Sequence, residues 1–285
     1  MINPTHLLAL VAFPLSLLGG LTDASAAPSA ASCSGATAFP ASGVPPVVRK
    51  VEEGKEKCEH VEFKTRDKQL IHARFYGPRK KGRAPAVLLV HGAGGVGETL
   101  DKLAKNLQRK GFAVLVPDLR GHGASVSPTC NWNKDNDKEV RTRTWSFAVR
   151  DLEASTSYLR NLKNVHNSNL SIVGVGAGAL LATRYAVQDE NARAVALIAP
   201  NADAYGFHIL SDLNDLGGLP VLIMSESKER KDNVRIADAS AKSNDGIEFI
   251  TVKSLKPKKG GDFFTDKRLS SEITKFLAKQ AMPKR

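Results

Sequence analysis

The sequence contains no internal repeat, no apolar run of transmembrane length, and no aromatic residues interleaved with its basic clusters. Each absence removes a class of protein. Without a repeat there is no stacked solenoid or propeller. Without stacking aromatics beside the lysines, a dedicated single-strand nucleic-acid groove is not indicated. The apolar run from Leu7 to Leu18 falls short of the ~20 residues that a membrane-spanning helix needs. It is followed by Gly19-Gly20 and by the small residues Ala24-Ser25-Ala26, so it reads as an export signal cleaved after Ala26. Its positive charge is limited to the amino terminus and His6, which leaves a retained anchor as the open alternative. Cys33 follows Ala30-Ala31-Ser32 without the leucine of a lipidation site, so no lipid is expected there.

Cysteine is also scarce. The three thiols, Cys33, Cys58 and Cys130, all survive such a cleavage. In an oxidising compartment Cys33 and Cys58 form the natural pair, pinning the arm to the first strand, and three idle thiols are the equal alternative. Acid is outnumbered: 41 Lys and Arg against 29 Asp and Glu give a net charge of +12, which loss of Asp23 with the signal raises by one. Lysines gather late, from Lys253 to Lys279. Such a surface is drawn to anionic partners, an envelope surface among them, by attraction that salt screens. Solubility alone is the plainer account.

What is present begins with glycine. Ser171-Ile172-Val173 ends a buried-strand pattern, Gly174-Val175-Gly176-Ala177-Gly178 follows, and Ala179-Leu180-Leu181 opens a helical one. This is the frame of a nucleophile elbow, in which small flanking residues let a strand bend sharply into a helix and lift a serine toward substrate. Gly176 occupies the serine's place. It carries no hydroxyl, so no acyl-enzyme can form there. Gly174-x-Gly176-x-x-Ala179 also fits a dinucleotide fingerprint, but the next strand, Ala194 to Pro200, ends without the acid that would hold a ribose. Gly92 to Thr99 imitates a phosphate-binding loop, but Glu98 stands where that loop needs lysine and would repel the phosphates. Neither a cofactor nor a metal is expected.

Pro85-Ala86-Val87-Leu88-Leu89-Val90-His91-Gly92-Ala93-Gly94 resembles the strand and oxyanion loop of the α/β-hydrolase superfamily. Asp118-Leu119-Arg120-Gly121-His122-Gly123-Ala124-Ser125, after the strand from Phe112, resembles that family's Asp-x-Arg-Gly-His-Gly-x-Ser turn. The likeness covers residues 60 to 280, and its compact, hairpin-first layout is most similar to the dienelactone-hydrolase-like branch. It implies an α/β-hydrolase fold of α/β class: a mostly parallel sheet with an N-terminal hairpin, helices on both faces and a minimal cap. The expected division is 1–26 signal peptide, 27–57 mobile arm and 58–285 domain.

Alternation places the hairpin at 61–65 and 70–76, with strands at 86–90, 112–116, 169–174, 194–199, 220–225 and 247–252. Helices are expected near 98–110, 141–163, 177–188, 230–242 and 268–280. The loops 123–140 and 201–218 should overhang the strand ends and wall any pocket.

The resemblance also locates a catalytic triad. The acid position falls on Glu229, and the histidine position, in the loop before the last helix, falls on Lys259 before Gly260. With Gly176 at the apex, two of three triad positions lack their chemistry. The oxyanion donors implied are the backbone amides of Ala93, in the His91-Gly92-Ala93 loop, and Ala177. His91 is expected to be structural and His122 a loop organiser, while His166 and His208 read as surface or packing residues. The expected protein is an exported, periplasmic or extracellular, non-catalytic relative that binds an anionic small molecule, carboxylate or phosphate, with Lys259 supplying charge. A working ester or lactone hydrolase with a non-standard nucleophile or a displaced base is the rival, and a basic envelope scaffold the third reading.

Overall fold

A computed structural model of the chain describes residues 58–226, 230–243, 250–255 and 267–281. The segments expected to be an export signal and a mobile arm, with Cys33, lie outside the described residues. β1 (Glu59–Lys64) and β2 (Leu70–Tyr76) form the expected antiparallel hairpin, with Val61 opposite Ala73 and Phe63 opposite Ile71. Its tight turn places Lys68 at φ 65°. Then come β3 (Ala84–Val90), a 3₁₀ turn at Gly97–Leu100, α1 (Asp101–Arg109), β4 (Ala113–Pro117), α2 (Lys138–Phe147) and α3 (Val149–Arg160). β5 (Val165–Val175), α4 (Ala177–Gln188), β6 (Ala192–Ile198), the two-residue strands β7 (Asp203–Ala204) and β8 (Phe207–His208) and α5 (Ile209–Asp215) follow. The last elements are β9 (Val221–Glu226), α6 (Arg230–Ser243), β10 (Ile250–Leu255) and α7 (Lys267–Ala281).

Among the described residues, eight strands make one sheet in the order β1-β2-β4-β3-β5-β6-β9-β10. β2 pairs antiparallel with β1 and β4, and every pairing from β4 to β10 is parallel. The apolar runs of the parallel strands are buried on both faces. On β3, Leu88 and Val90 join one cluster with α3 and α4 while Val87 and Leu89 join the other with α1 and α7. A strand covered on both sides has no polar face to alternate with, which is why β3 and β4 read as unbroken Val/Leu/Ala segments.

One expected element divides. The helix foreseen at 141–163 is two, α2 and α3, meeting at Ala148, whose N–H donates to the Trp145 carbonyl at 3.0 Å. The break lets α2 turn Trp145 into an aromatic cluster while Leu152 and Leu159 of α3 keep facing the sheet. Asp137 caps α2 by accepting from the Glu139 and Val140 amides, so this helix also starts three residues before the expected boundary.

Candidate active site

The site stands where β5 passes into α4. Gly176 sits at the bend with φ 54° and ψ −122°, a conformation that side-chain-bearing residues adopt only under strain. A β-carbon built on it would meet one atom within 4 Å, Asn201 Oδ1 at 3.6 Å. Space at the apex is therefore open, and the glycine relieves a backbone strain that a serine would have to bear. The flanking glycines serve packing instead. A β-carbon on Gly174 would lie 2.5 Å from the Gly178 carbonyl oxygen, and one on Gly178 would lie 2.2 Å from that of His91. The bend has the shape of an elbow, and its apex residue carries no hydroxyl.

β3 delivers the other half of the site. His91 is fully buried and both of its ring nitrogens are engaged. The Leu119 amide donates to Nε2 at 3.0 Å, which leaves Nδ1–H to donate to the Gly92 carbonyl at 2.8 Å. Burial and the neighbouring His122 push the His91 imidazole down to about 4, against the upward pull of the Gly92 carbonyl and Asp118. His122 is arranged alike, with Nε2 accepting from the Gly94 amide at 3.0 Å and Nδ1–H donating to the Arg120 carbonyl at 2.9 Å. Burial lowers it too. Both histidines brace the oxyanion loop, and neither has a lone pair to offer a substrate.

The turn after β4 is braced by charge. Asp118 accepts from the Gly97 amide at 2.7 Å and the Ala124 amide at 2.9 Å, tying the 3₁₀ turn to the Asp-x-Arg-Gly-His-Gly segment. Arg120 grips Asp151 of α3 through Nε at 2.9 Å and Nη2 at 2.7 Å, and reaches Asp67 of the hairpin turn at 2.7 Å. Burial drives the Asp151 carboxyl up to about 6 against the pull of Arg120. At half-buried Asp67 burial also pushes upward, but hydrogen bonds from Arg120, Thr65 and Arg150 win and hold it well below the usual carboxylate range. Ser125 donates nothing toward the pocket; its Oγ accepts from the His72 amide at 2.9 Å. These motif residues are structural.

Above the apex lies a pocket of about 750 Å³. Gly92, Ala93, Gly176 and Ala177 line its floor. Among the described residues, no turn or loop hydrogen bond takes up the Ala93 or Ala177 amide, and the latter is the first residue of α4, where N–H groups lack helical partners. A negatively charged oxygen placed there would meet two donors and the positive end of a helix. Lys138 and Thr142 of α2 form one wall and the β7–β8 hairpin the other. That hairpin turns on Tyr205 at φ 50° and Gly206 at φ 81°, the left-handed pair that a two-residue connection needs. Tyr205 packs edge-on to Trp132 at 5.3 Å and tilted to Trp145 at 5.7 Å, anchoring the hairpin to the aromatic cluster.

The hairpin also carries what sequence reasoning missed. Asp203 and His208 are direct cross-strand partners, and His208 Nδ1 lies 2.6 Å from Asp203 Oδ1. His208 is thus a surface residue, as expected, whose imidazole is held by a carboxylate and lines the pocket wall. The available signal was the spacing: Tyr205-Gly206 between two dipeptides is a hairpin pattern that sets residues 203 and 208 opposite each other. Asn201, beside the apex, had no comparable signal. Glu229 and Lys259, the positions matched to the triad's acid and histidine, lie outside the described residues.

Known proteins share this frame. The family model described as serine aminopeptidase, S33, a hydrolase family, matches residues 82–213, from the start of β3 into α5. The chain has the α/β-hydrolase fold, and its residues 82–213 are similar to this hydrolase family. An esterase of Pyrococcus furiosus superposes with a TM-score of 0.60 at 16% identity, covering 83% of this chain and 98% of the esterase. A dienelactone hydrolase from Anabaena variabilis superposes with a TM-score of 0.57 at 15% identity over 80% of this chain and 98% of its own. In sequence, the uncharacterized protein YcjY of Escherichia coli is 30% identical over 115 residues, 40% of this chain. The chain spans about a third, 34%, of that relative's length. In this α/β-hydrolase fold, then, the loop after β3 and the bend after β5 stand around an apex that bears only hydrogen.

Proposed function

We infer that this chain is an exported α/β-hydrolase-fold protein that has given up Ser-His-Asp chemistry and holds a small anionic ligand, a carboxylate or phosphate, over Gly176. The observation that carries the reading is the apex itself. Gly176 keeps the φ and ψ of an elbow and leaves the room above it open, while Ala93 and Ala177, whose amides no turn or loop bond among the described residues takes up, line the same pocket. Losing the nucleophile from a triad removes nearly the whole covalent contribution, because its members act as a unit. The donors remain, since a backbone amide does not depend on the side chain it carries. Lys138 lines the pocket and, among the described residues, forms no ion pair, so its ammonium supports the same charge preference. Lys259 is the second cation assigned to the ligand, in the position of the lost histidine.

A thermal-shift panel of carboxylates and phosphates tests the reading. A ligand at a hundred times its Kd stabilises the fold by about 2.7 kcal/mol. In a domain of this size that is a rise of about 5 °C or more. Lys259→Ala should weaken the shift, and no stabilisation by any member of the panel would remove the proposal. For export, the mature protein should begin at Ala27 when its amino terminus is sequenced, and an intact Met1 would refute cleavage.

A further inference from the structure

We propose that the end of the sheet opposite the pocket docks on an anionic bilayer, its exposed lysines and arginines meeting the phosphate groups of phospholipids. The topology makes this end one face. β4, β3, β5 and β6 are neighbours in the sheet and run parallel, so the connections that lead into them emerge side by side. Gly92, Gly176 and Asn201, which line the pocket, follow the other ends of β3, β5 and β6. Docking on the entering connections keeps the pocket turned away from the lipid. Because face and pocket occupy opposite ends, docking stands or falls apart from ligand binding over Gly176.

Positive charge gathers in those connections. The segment between β2 and β3 carries Arg79, Lys80, Lys81 and Arg83, all exposed. Arg79 Nε donates to Gln108 Oε1 at 3.3 Å, and Gln108 Nε2 donates to the Gly77 carbonyl at 2.8 Å. These bonds fasten the segment to the end of α1, where Arg109 and Lys110 are exposed. The Ala84 amide donates to the Asn164 carbonyl at 2.9 Å, which brings the turn with exposed Lys163 beside Arg83. Exposed Arg193, on β6, donates through Nε to the Ser168 carbonyl at 3.1 Å and closes the row against the start of β5. Among the described residues, none of these side chains forms an ion pair. Glu190 is the one exposed acid in the four connections, because Asp189 is buried and held by Arg160 at 2.6 Å. Glu59 and Asp215, also exposed, belong with β1 and β9, outside the row.

Like charges held on one face without counter-charges repel one another, and an anionic partner relieves that repulsion. The rest of the face selects the partner. Its connections carry no exposed aromatic ring, so it has no platform on which bases could stack. The exposed large apolar side chains, Leu70, Val126, Phe147 and Leu210, all lie elsewhere, so nothing here inserts among acyl chains. The cations come from four separate connections and form a broad array, which suits a layer of headgroups better than a single strand led along a groove. Such binding is a sum of small attractions, about fivefold in affinity for each cation near the surface. Salt screens it.

The test is co-sedimentation of the purified full-length chain with vesicles of equal parts phosphatidylglycerol and phosphatidylcholine, and with vesicles of phosphatidylcholine alone. The chain should sediment with the anionic vesicles and stay in solution with the neutral ones. Raising salt from about 0.1 M to about 1 M shortens the screening length from about 10 Å to about 3 Å and should release it. Lys80→Gln, Lys81→Gln and Arg83→Gln together should weaken binding about 10²-fold. Lys68→Gln, Lys134→Gln and Arg143→Gln together remove the same charge from exposed positions at the pocket end and should weaken it by less than about fivefold. Every side chain replaced is exposed, so both triple variants should melt with the wild type. Equal weakening by the two triples would mean attraction to net charge alone and would overturn the docking face. Binding to neutral vesicles, or binding that salt leaves unchanged, would mean insertion of an apolar segment and would overturn it too. So would retention of a DNA duplex, lost in the Lys80 triple, by a chain that ignores both kinds of vesicle.

Discussion

Two glycines of the elbow, Gly176 and Gly178, separate conformational strain from steric exclusion, and they can be tested one by one. At Gly176 a β-carbon finds no atom closer than 3.6 Å, but the backbone at φ 54° and ψ −122° strains any other residue by about 1–3 kcal/mol. At Gly178 the φ is ordinary but a β-carbon would lie 2.2 Å from the His91 carbonyl oxygen and 2.9 Å from that of Val90. No rotamer relieves a clash between a β-carbon and a backbone oxygen. Relief requires α4 to move off β3, opening packing that buries Leu88, Val90, Ala179 and Leu180 together. Gly176→Ala should therefore cost about 1–3 kcal/mol, and Gly178→Ala should cost more than about 4 kcal/mol or prevent folding. Urea unfolding followed by circular dichroism measures both, with Gly176→Ser as the companion variant. The serine should cost as much as the alanine and label poorly with phosphonate, because His91 and His122 are committed and the His208 pair belongs to the opposite wall. A Gly178→Ala variant as stable as Gly176→Ala would refute the steric argument. Robust phosphonate labelling of Gly176→Ser would show that an imidazole does reach the apex.

Two further predictions concern the braces of the oxyanion loop. His91 is held neutral with its imidazole pushed down to about 4, against 6.5 when exposed, so the unfolded chain takes up a proton in that interval and the folded chain does not. Stability owed to neutral His91 is thus complete above about pH 6.5 and is lost as pH falls toward 4. The stability gap between the wild type and His91→Asn should narrow by about 2 kcal/mol between pH 7 and 5, as read from urea curves, and a constant gap would place a charge on the buried ring. Arg120→Ala leaves Asp151, wholly buried, without its guanidinium, which should cost about 3–5 kcal/mol at neutral pH. Because burial already lifts Asp151 to about 6, protonation can discharge it, and the cost should shrink as pH falls from 7 to 5. A pH-independent cost would mean that packing, not charge, is what Arg120 supplies.

How much of this was legible in the sequence depended on how far apart the deciding residues lie in the chain. The frame was local: continuous apolar runs bounded by glycine gave β3, β4 and β5, and the helix expected at 177–188 is α4 to the residue. The vacancy at Gly176 was legible because an elbow is a five-residue pattern with one reactive place. The break between α2 and α3 was not, since no Gly or Pro marks it and only the burial of Trp145 against Trp132 and Tyr205 requires it. The roles of His91 and His122 followed from their motifs, but the reason they cannot act as bases, amide donors bonded to Nε2, is tertiary. The placement of His208 over the site is tertiary as well. Its bond to Asp203 is local to a hairpin, but the hairpin's place over Gly176 depends on Tyr205 docking against tryptophans from two other segments, 60 and more residues earlier. Sequence periodicity reads which side chains face a core. It does not read which exposed imidazole a loop carries back to the wall of a cleft.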